Sequence, residues 1–287
     1  MLASKVLLKI GIIGASENEI QARQGLWLQV PGAQLAFYAA TESAIEGVVA
    51  CKDYEEVISQ ADIVDIIEAS ERTYAVFQQA VKARRNVFLD NPFVLSVEEL
   101  RHCALLVKES AIKCQPGLYL RFHDDVAESR SERFRFLESS VSFTAETPMS
   151  QQQWLSLVNN HVDLLSFLAQ APIHRIGAFS LKMNNREHAL LNFRIQFDNG
   201  SVGNCTINTN AFVEEQLTAL YNENKQLLIL WSKNLRPNYE IFDSDCVINA
   251  MTDYIRSVAM HGSLKVTIFE ALNTLELTRD IINQIVV

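Results

Sequence analysis

The sequence predicts an α/β fold, with an N-terminal doubly wound parallel sheet followed by an α+β domain with a large, mostly antiparallel sheet. Three observations support this prediction. Short apolar runs alternate with amphipathic segments early in the chain, which is typical of strand–helix–strand units. Longer runs separated by tight turns follow, as in an antiparallel meander. The 287 residues, of which 48% are hydrophobic, are enough for two domains with packed cores.

The elements of the first domain are predicted from apolar runs, helical periodicity and helix start signals. Strands are predicted at Val6–Ile13, Gln34–Ala39, Val48–Cys51, Ile63–Ile67, Asn86–Leu89 and Lys113–Leu118. Helices are predicted at Glu17–Gln29, Asp53–Gln60, Glu71–Arg84 and from the Ser96–Glu99 capping box to about Ala111. Pro92 ends the fifth strand because proline has no amide hydrogen to donate to a sheet ladder.

The second domain is predicted to begin after a mostly charged segment, residues 124–135, so we divide the chain into residues 1–121 and 122–287. A helix is predicted at Gln151–Gln170, and two more helices end the chain. Strands are predicted at Ile173–Met183, His188–Phe197, Ser201–Asn210, Gln216–Tyr221 and Gln226–Trp231. A hairpin turn is predicted at residues 198–200, because asparagine and glycine tolerate positive φ.

The composition disfavours nucleic acid as a partner, a membrane span and a metal site. Lys plus Arg number 25 against 34 for Asp plus Glu, and this net charge of −9 disfavours nucleic acid. No uncharged apolar run approaches about 18 residues, so we expect no membrane span. The five cysteines form no C-x-x-C pair, which predicts free thiols in a reducing compartment, the cytoplasm, and no metal site.

Six short segments occur in an order and spacing that one known family shares. They are KIGIIG at 9–14, ADIVDII at 61–67, NVFLDNP at 86–92, LRF at 120–122, HVDLL at 161–165 and FDNGS at 197–201. The chain therefore resembles the glucose–fructose oxidoreductase / inositol dehydrogenase (Gfo/Idh/MocA) family. That resemblance implies a Rossmann-like first domain, NAD or NADP as cofactor, and hydride transfer on a sugar, polyol or related hydroxy compound.

The resemblance places cofactor phosphates near Gly14 and Ser16, at the end of the first strand. A dinucleotide fingerprint has three glycines, G-x-G-x-x-G, and here only Gly14 remains. Glu17 and Glu19 add carboxylates to the helix N-terminus, where they compete with a bound anion. No acid follows the second strand to bind ribose, although residues 41–43 (TES) offer substitutes. A weakened cofactor site and an ordinary capped turn both stay open.

The resemblance also implies the catalytic residues. The family carries Glu-Lys-Pro after the fifth strand, where this chain has Asp90, Asn91 and Pro92. The amide of Asn91 has no titratable proton, so it cannot act as a general acid or base. The family pairs a histidine with an Asp four residues earlier, and here Leu157 precedes His161. We predict a degenerate catalytic pair, Asn91 and His161, with Asp90 and Pro92 near the cofactor; purely structural roles stay open.

Two functions are compatible with these residues. One is a diverged oxidoreductase with impaired or lost NAD(P)-dependent hydride transfer, and the other is a non-catalytic metabolite-binding regulator or partner subunit. A small-molecule ligand is expected in either case. We also expect a homodimer through the C-terminal sheet, because helices cover only one face of it. Its apolar contact residues are predicted to be Ile195, Phe197, Val202, Cys205 and Ile207.

Overall fold

The chain divides into two compact units. The computed structural model describes residues 7–14, 16–39, 47–67, 70–145, 151–183, 186–224, 226–230 and 244–285. The first unit comprises Met1–Gly117 and Val247–Asn273, and the second comprises Leu118–Cys246 and Thr274–Val287. The predicted division at residue 121 lies close to the change at 117. The return of residues 247–273 to the first unit was not predicted, because no local pattern encodes it.

The first unit contains a six-stranded parallel sheet, which confirms the predicted fold class. Its strands are β1 (Leu8–Ile13), β2 (Ala33–Ala39), β3 (Val49–Ala50), β4 (Ile63–Ile66), β5 (Asn86–Leu89) and β6 (Cys114–Pro116). Their order in the sheet is β3-β2-β1-β4-β5-β6. Four helices alternate with them: α1 (Glu17–Trp27), α2 (Tyr54–Gln60), α3 (Thr73–Lys82) and α4 (Val97–Ser110). The central strands β4 and β5 are almost wholly buried, as expected for strands covered on both faces.

Close packing of α2 on the sheet depends on Gly11 in β1. A Cβ atom at this position would lie 2.4 Å from Val57 Cγ1 and 2.9 Å from Ala61 Cβ. Real Cβ atoms do not approach neighbours so closely, so a larger residue would push α2 away from the strand. Gly11 therefore has a packing role in the core.

The second unit contains a six-stranded mixed sheet. Its strands are β7 (Phe136–Thr144), β8 (Ile173–Met183), β9 (Arg186–Phe197), β10 (Val202–Asn208), β11 (Asn210–Tyr221) and β12 (Gln226–Leu230), in the order β12-β11-β7-β10-β9-β8. Among the described strands of this sheet only β7 and β10 pair in parallel, which agrees with a mostly antiparallel sheet. Strand β7 itself was not predicted. Its inward positions include Ser139, and the charged segment before it, which contains α5 (Asp124–Ser129), resembles a linker.

One face of this sheet is covered by two helices, α6 (Gln151–Ala169) and the C-terminal part of α8 (Ile268–Ile285), which follows α7 (Ser244–Ala259). Ile195, Phe197, Cys205 and Ile207 are buried in the resulting core. The prediction that these four side chains form a dimer contact is therefore wrong, because the chain's own helices already cover them. Val202 belongs to the opposite face and is half-buried.

The described part of the chain has neither a membrane-spanning helix nor a metal-binding cluster. No helix there is both long and apolar enough to cross a membrane. Within the same residues, no group of three or more His, Cys, Asp or Glu side chains could hold a metal ion. All five cysteines are buried and none is in a disulfide bond.

Candidate functional site

The turn after β1 is closed by the chain's own hydrogen bonds. Ser16 caps α1: its Oγ accepts from the Glu19 amide at 3.3 Å, and Glu19 Oε2 accepts from the Ser16 amide at 3.0 Å. This reciprocal pair is a capping box, and it uses two amide donors that would otherwise face an anion. Gly14 keeps the backbone close to its neighbours, since a Cβ there would lie 2.9 Å from the Ile67 side chain. Residue 15 and residues 41–43, the predicted ribose substitutes, lie outside the described residues.

The end of β5 is tied to α1 by a buried ion cluster. Arg23 Nη1 lies 2.8 Å from Asp90 Oδ1. The same guanidinium donates twice to Asp65 in β4, from Nε at 2.7 Å and from Nη2 at 3.0 Å. The Trp27 indole donates to Asp65 Oδ2 at 2.6 Å, and the guanidinium stacks over the Phe88 ring. One cation thus joins two carboxylates, of which Asp65 is fully buried and Asp90 has a side chain that is 30% exposed.

Arg23 and Trp27 were missed by sequence reasoning. Helix α1 has no clear apolar stripe, so a polar residue within it resembles a solvated one. Burial raises the pKa of Asp65, while the Arg23 guanidinium and the Trp27 hydrogen bond oppose that rise by favouring the charged form. An Asp inside a buried strand was the available signal, because a buried carboxylate needs a cationic partner.

Asn91 has a structural contact of its own. Its Oδ1 accepts a hydrogen bond from the Phe93 amide at 3.0 Å, and it caps a short 3-10 turn at Pro92–Val94. Pro92 is buried at the first position of that turn. The amide of Asp90 continues the sheet ladder by donating to the Ile66 carbonyl at 3.0 Å. The side-chain carbonyl of Asn91 is therefore engaged in the turn, and the cofactor roles of Asp90 and Pro92 stay predictions.

In the second unit, helix α6 is anchored by a second buried ion pair. Arg121 donates to Asp163 through Nε at 2.9 Å and Nη2 at 2.6 Å, and the pair is almost fully buried. Thr274 Oγ1 donates to the same carboxylate at 3.2 Å. The Arg121 guanidinium also lies over the Phe167 ring, 4.9 Å from its centroid. A bidentate pair of this kind fixes the rotation of α6 about its own axis.

His161 is buried against the sheet. It has no exposed surface, and its Nδ1 lies 2.9 Å from Ser139 Oγ in β7. Ser139 in turn lies 3.2 Å from Thr218 Oγ1 in β11. Among the described residues, Nε2 of His161 has no hydrogen-bond partner. Burial lowers the pKa of His161 to about 4, so the imidazole is neutral near pH 7.

Helical geometry places another residue on the side of α6 that carries Asp163. The family that the chain resembles has a His-x-x-Asp motif on this helix. When Asp163 is taken as the Asp of that motif, the histidine position is Asn160 and not His161. One turn before Asn160 the chain has Ser156. Asn159 is also fully buried, and neither atom of its amide has a partner within the described residues. The sequence analysis missed Asn160 because it aligned the nearest histidine; the catalytic role of His161 stays a prediction.

Acid is expected to destabilise the protein through His161. The folded-state pKa of about 4 lies below the ordinary 6.5, so the folded chain binds fewer protons than the unfolded chain between these values. Stability is therefore full above pH 6.5 and falls as the pH drops toward 4. At about 1.4 kcal/mol for each unit of pKa, the loss reaches about 3 kcal/mol.

Urea unfolding between pH 7 and pH 4.5 measures this loss. We expect the pH slope to be much smaller in His161→Gln than in the wild type, and His174→Gln, which removes an exposed histidine, is the control variant. Equal slopes in the wild type and in His161→Gln would contradict the assignment.

Comparisons with known proteins agree with this architecture. A family model described as an oxidoreductase family with an NAD-binding Rossmann fold, Gfo/Idh/MocA, matches residues 8–118. No curated protein matches the chain in sequence. Among solved structures, a UDP-N-acetylglucosamine 3-dehydrogenase from Acidithiobacillus ferrooxidans is 16% identical and superimposes with a TM-score of 0.82 over 98% of both chains.

Two further structures show the same likeness. Scyllo-inositol dehydrogenase from Lactobacillus casei, solved with bound NAD(H) and scyllo-inositol, is 16% identical, with a TM-score of 0.81 over 97% of both chains. A probable dehydrogenase from Thermotoga maritima is 14% identical, with a TM-score of 0.81 over 96% of both chains. At such identities the structures establish the fold, and the family model adds evidence from the sequence itself. The match over residues 8–118 and the shared fold together support membership of the Gfo/Idh/MocA family of oxidoreductases with an NAD-binding Rossmann fold.

Proposed function

We propose that this chain is a diverged Gfo/Idh/MocA oxidoreductase homologue in which NAD(P)-dependent hydride transfer on a sugar, polyol or related hydroxy compound is impaired or lost. The observation that carries the proposal is Asn91, which stands where the family has lysine and whose side-chain carbonyl caps the turn at Phe93. An amide neither gives nor takes a proton near neutral pH. General acid–base groups typically contribute about 10²–10⁴-fold to rate, so this one change predicts a large loss.

The residues after β1 fit a dinucleotide poorly. Gly14 still permits a close approach of the backbone. Against this, the Ser16–Glu19 capping box uses two amide donors, and Glu17 adds a second carboxylate in the first turn of α1. Carboxylates at a helix N-terminus satisfy the positive end of the helix dipole and repel a phosphate. We therefore derive no reaction step through NAD or NADP, and we expect weakened binding of either cofactor.

Helix α6 supports the same proposal. His161 faces the sheet and is neutral, so it offers no surface to a substrate. The position three residues before Asp163 is held by Asn160, and the position one turn earlier by Ser156. Neither side chain titrates near neutral pH, so neither can serve as a general base. The side of the helix that carries Asp163 thus retains polar groups for binding without the groups for proton transfer.

The cofactor prediction is tested by titrating the protein with NADH and NADPH and following cofactor fluorescence. We expect a Kd well above the low-micromolar range. The double variant Glu17→Gln/Glu19→Gln is expected to bind several-fold more tightly, because it removes two charges while glutamine keeps the capping box.

The chain offers a matched control for that experiment. Helix α4 begins with the same kind of box, Ser96 with Glu99, preceded by Glu98. The variant Glu98→Gln/Glu99→Gln changes the net charge equally and is expected to bind cofactor as the wild type does. Low-micromolar binding by the wild type, or equal gains in both variants, would contradict the proposal.

A non-catalytic metabolite-binding role, as a regulator or partner subunit, is the second candidate function. A polar groove in the second unit, lined by arginine and asparagine side chains, favours it. This candidate needs no cofactor and no proton transfer. It predicts a ligand that stabilises the protein in the absence of NAD(P).

We further propose a homodimer through the outer face of the second sheet, the face opposite α6. Strand pairing puts Glu138 of β7 opposite Asn204 of β10, and Asn204 opposite Arg194 of β9. The outer face thus carries a negative and a positive side chain in one row, on either side of Asn204. A two-fold axis that lies between the two sheets, parallel to the strands and over Asn204, places Arg194 of one copy over Glu138 of the partner subunit, so the face is self-complementary.

Light scattering at micromolar concentration tests the dimer. We expect twice the chain mass for the wild type and a shift toward the monomer for Arg194→Glu and for Glu138→Arg. The exchange variant Arg194→Glu/Glu138→Arg is expected to restore the dimer, since the charges are swapped and still opposed. A monomeric wild type, or an exchange variant no better than the single variants, would overturn this arrangement.

A further inference from the structure

We propose that the second unit contains a binding site for a small organic anion, a molecule that carries a carboxylate or phosphate group. The site is a groove of about 550 Å³, within the range of small-molecule pockets. Arg133 and Arg135 line it together with Gln170, Asn222, Glu223 and Asn224. This proposal is independent of the residues after β1 and β5 on which the cofactor argument depends.

The two arginines flank a buried phenylalanine just before β7. Residues 133–136 read RFRF; Phe134 is buried in the core, whereas Arg133 and Arg135 are exposed and line the groove. The backbone of Arg135 is held from two directions: its amide donates to the Tyr221 carbonyl at 2.8 Å, and its carbonyl accepts from the Val202 amide at 3.0 Å. The backbone that carries the Arg135 side chain is therefore held in place at the edge of the core.

The walls of the groove are held in place by hydrogen bonds that their side-chain amide groups donate. Gln170 Nε2 donates to the Arg130 carbonyl at 2.7 Å, and Asn222 Nδ2 donates to Glu132 Oε2 at 2.8 Å. Asn199 Nδ2 donates to a backbone carbonyl at the end of α6 at 2.9 Å. Binding would therefore require little reordering of the walls, which favours affinity.

The two guanidinium groups, by contrast, make few close hydrogen bonds or ion pairs within the chain. Arg135 makes only long contacts, at 3.4 Å to the Asn199 carbonyl and 3.5 Å to Glu223 Oε1, and its side chain is 63% exposed. Arg133 has no ion-pair or hydrogen-bond partner among the residues that the structure describes. An anion in the groove would give these guanidinium groups the short, charge-assisted hydrogen bonds that the chain itself does not supply.

The chemistry of the lining indicates the class of ligand. A guanidinium group donates from a planar fork that matches the two oxygens of a carboxylate or the oxygens of a phosphate. The Asn224 side chain adds an amide that can bond to a hydroxyl group. Glu223 leaves the lining with one negative charge against two positive ones, so a monoanion or dianion suits the groove better than a highly charged polyanion.

Thermal shift and calorimetric titration of the whole chain test the site, with inorganic phosphate and citrate as probes at constant ionic strength. We expect saturable stabilisation by at least one probe at millimolar concentration, and the probe that saturates identifies the acid group. Arg133→Gln and Arg135→Gln are each expected to weaken binding about tenfold or more, since each removes a charged hydrogen-bond donor. Arg101→Gln, an exposed arginine on α4 of the first unit, serves as the matched control and keeps wild-type affinity.

Three results would overturn the site: no saturable effect of either probe, unchanged affinity in both groove variants, or an equal loss in Arg101→Gln. NADH titration of the groove variants separates this proposal from the previous one. Unchanged weak cofactor binding with lost anion binding supports the groove alone. A loss of both in variants whose thermal unfolding is unchanged would contradict the independence of the groove from the cofactor residues.

Discussion

Arg23→Met is expected to lower the free energy of unfolding by about 3–5 kcal/mol, as is typical when one member of a buried ion cluster is removed. The guanidinium of Arg23 is the shared partner of Asp65 and Asp90, at 2.7 Å and 2.8 Å. Without it, Asp65 keeps only the Trp27 indole as a side-chain donor among the described residues, so its buried carboxylate must be protonated or hydrated. Methionine fills a similar volume, so the lower free energy of unfolding arises from the missing charge more than from changed packing.

Urea unfolding followed by circular dichroism measures this change. Arg101→Met, which alters an exposed arginine on α4, is the matched control and is expected to change stability by less than about 0.5 kcal/mol. Adding Asp65→Leu to Arg23→Met removes the stranded carboxylate, and we expect it to recover much of the loss. A loss below about 1 kcal/mol in Arg23→Met would show that the cluster contributes little.

The second large effect is expected at the pair that anchors α6. Asp163→Ala leaves the Arg121 guanidinium buried without its carboxylate, and we expect a loss of about 3–5 kcal/mol. Thr274 also loses its acceptor, because its Oγ1 donates to the same carboxylate at 3.2 Å. The cost arises from the buried cation that has lost its carboxylate more than from the missing carboxylate volume.

A double-mutant cycle isolates this pair. We expect Arg121→Met/Asp163→Leu to be markedly more stable than Asp163→Ala, since both charges are then absent. The exposed pair Arg135–Glu223, with 3.5 Å between Nη2 and Oε1, serves as the control cycle and is expected to give less than about 1 kcal/mol of coupling. Additive effects of Arg121→Met and Asp163→Ala would contradict a coupled pair.

Most of the first sheet could be predicted because its signals are local. Most of its strands lie within short apolar runs, and the capping box predicted at Ser96 is confirmed in the structure. A capping box needs only residues three positions apart, so the sequence contains all of it. A capped turn at Ser16 was one of two open alternatives in the sequence. The capping box that forms this cap also disfavours a bound phosphate.

The second unit was harder to predict because its key features depend on pairing. Strand β7 lies in the middle of the sheet although Glu138, Ser139 and Ser140 give it no apolar run. Its position is favoured by neighbours on both sides, β10 and β11, that are distant in sequence. The face of Ile195 and Phe197 was likewise assigned to a partner, whereas α6 and α8 of the same chain cover it.

By itself, the sequence determined the fold class, the strand endings and two chemical losses: no lysine after β5 and only one glycine after β1. Tertiary structure decided which of the remaining polar groups face each other. Arg23 joins Asp65 and Asp90 across three elements, and Arg121 sets the rotation of α6 so that His161 turns toward Ser139. The physical reason is the separation along the sequence over which each interaction acts. Turn and cap chemistry acts between residues a few positions apart, while the partner of a buried charge or imidazole is chosen by packing between segments that the chain brings together only when it folds.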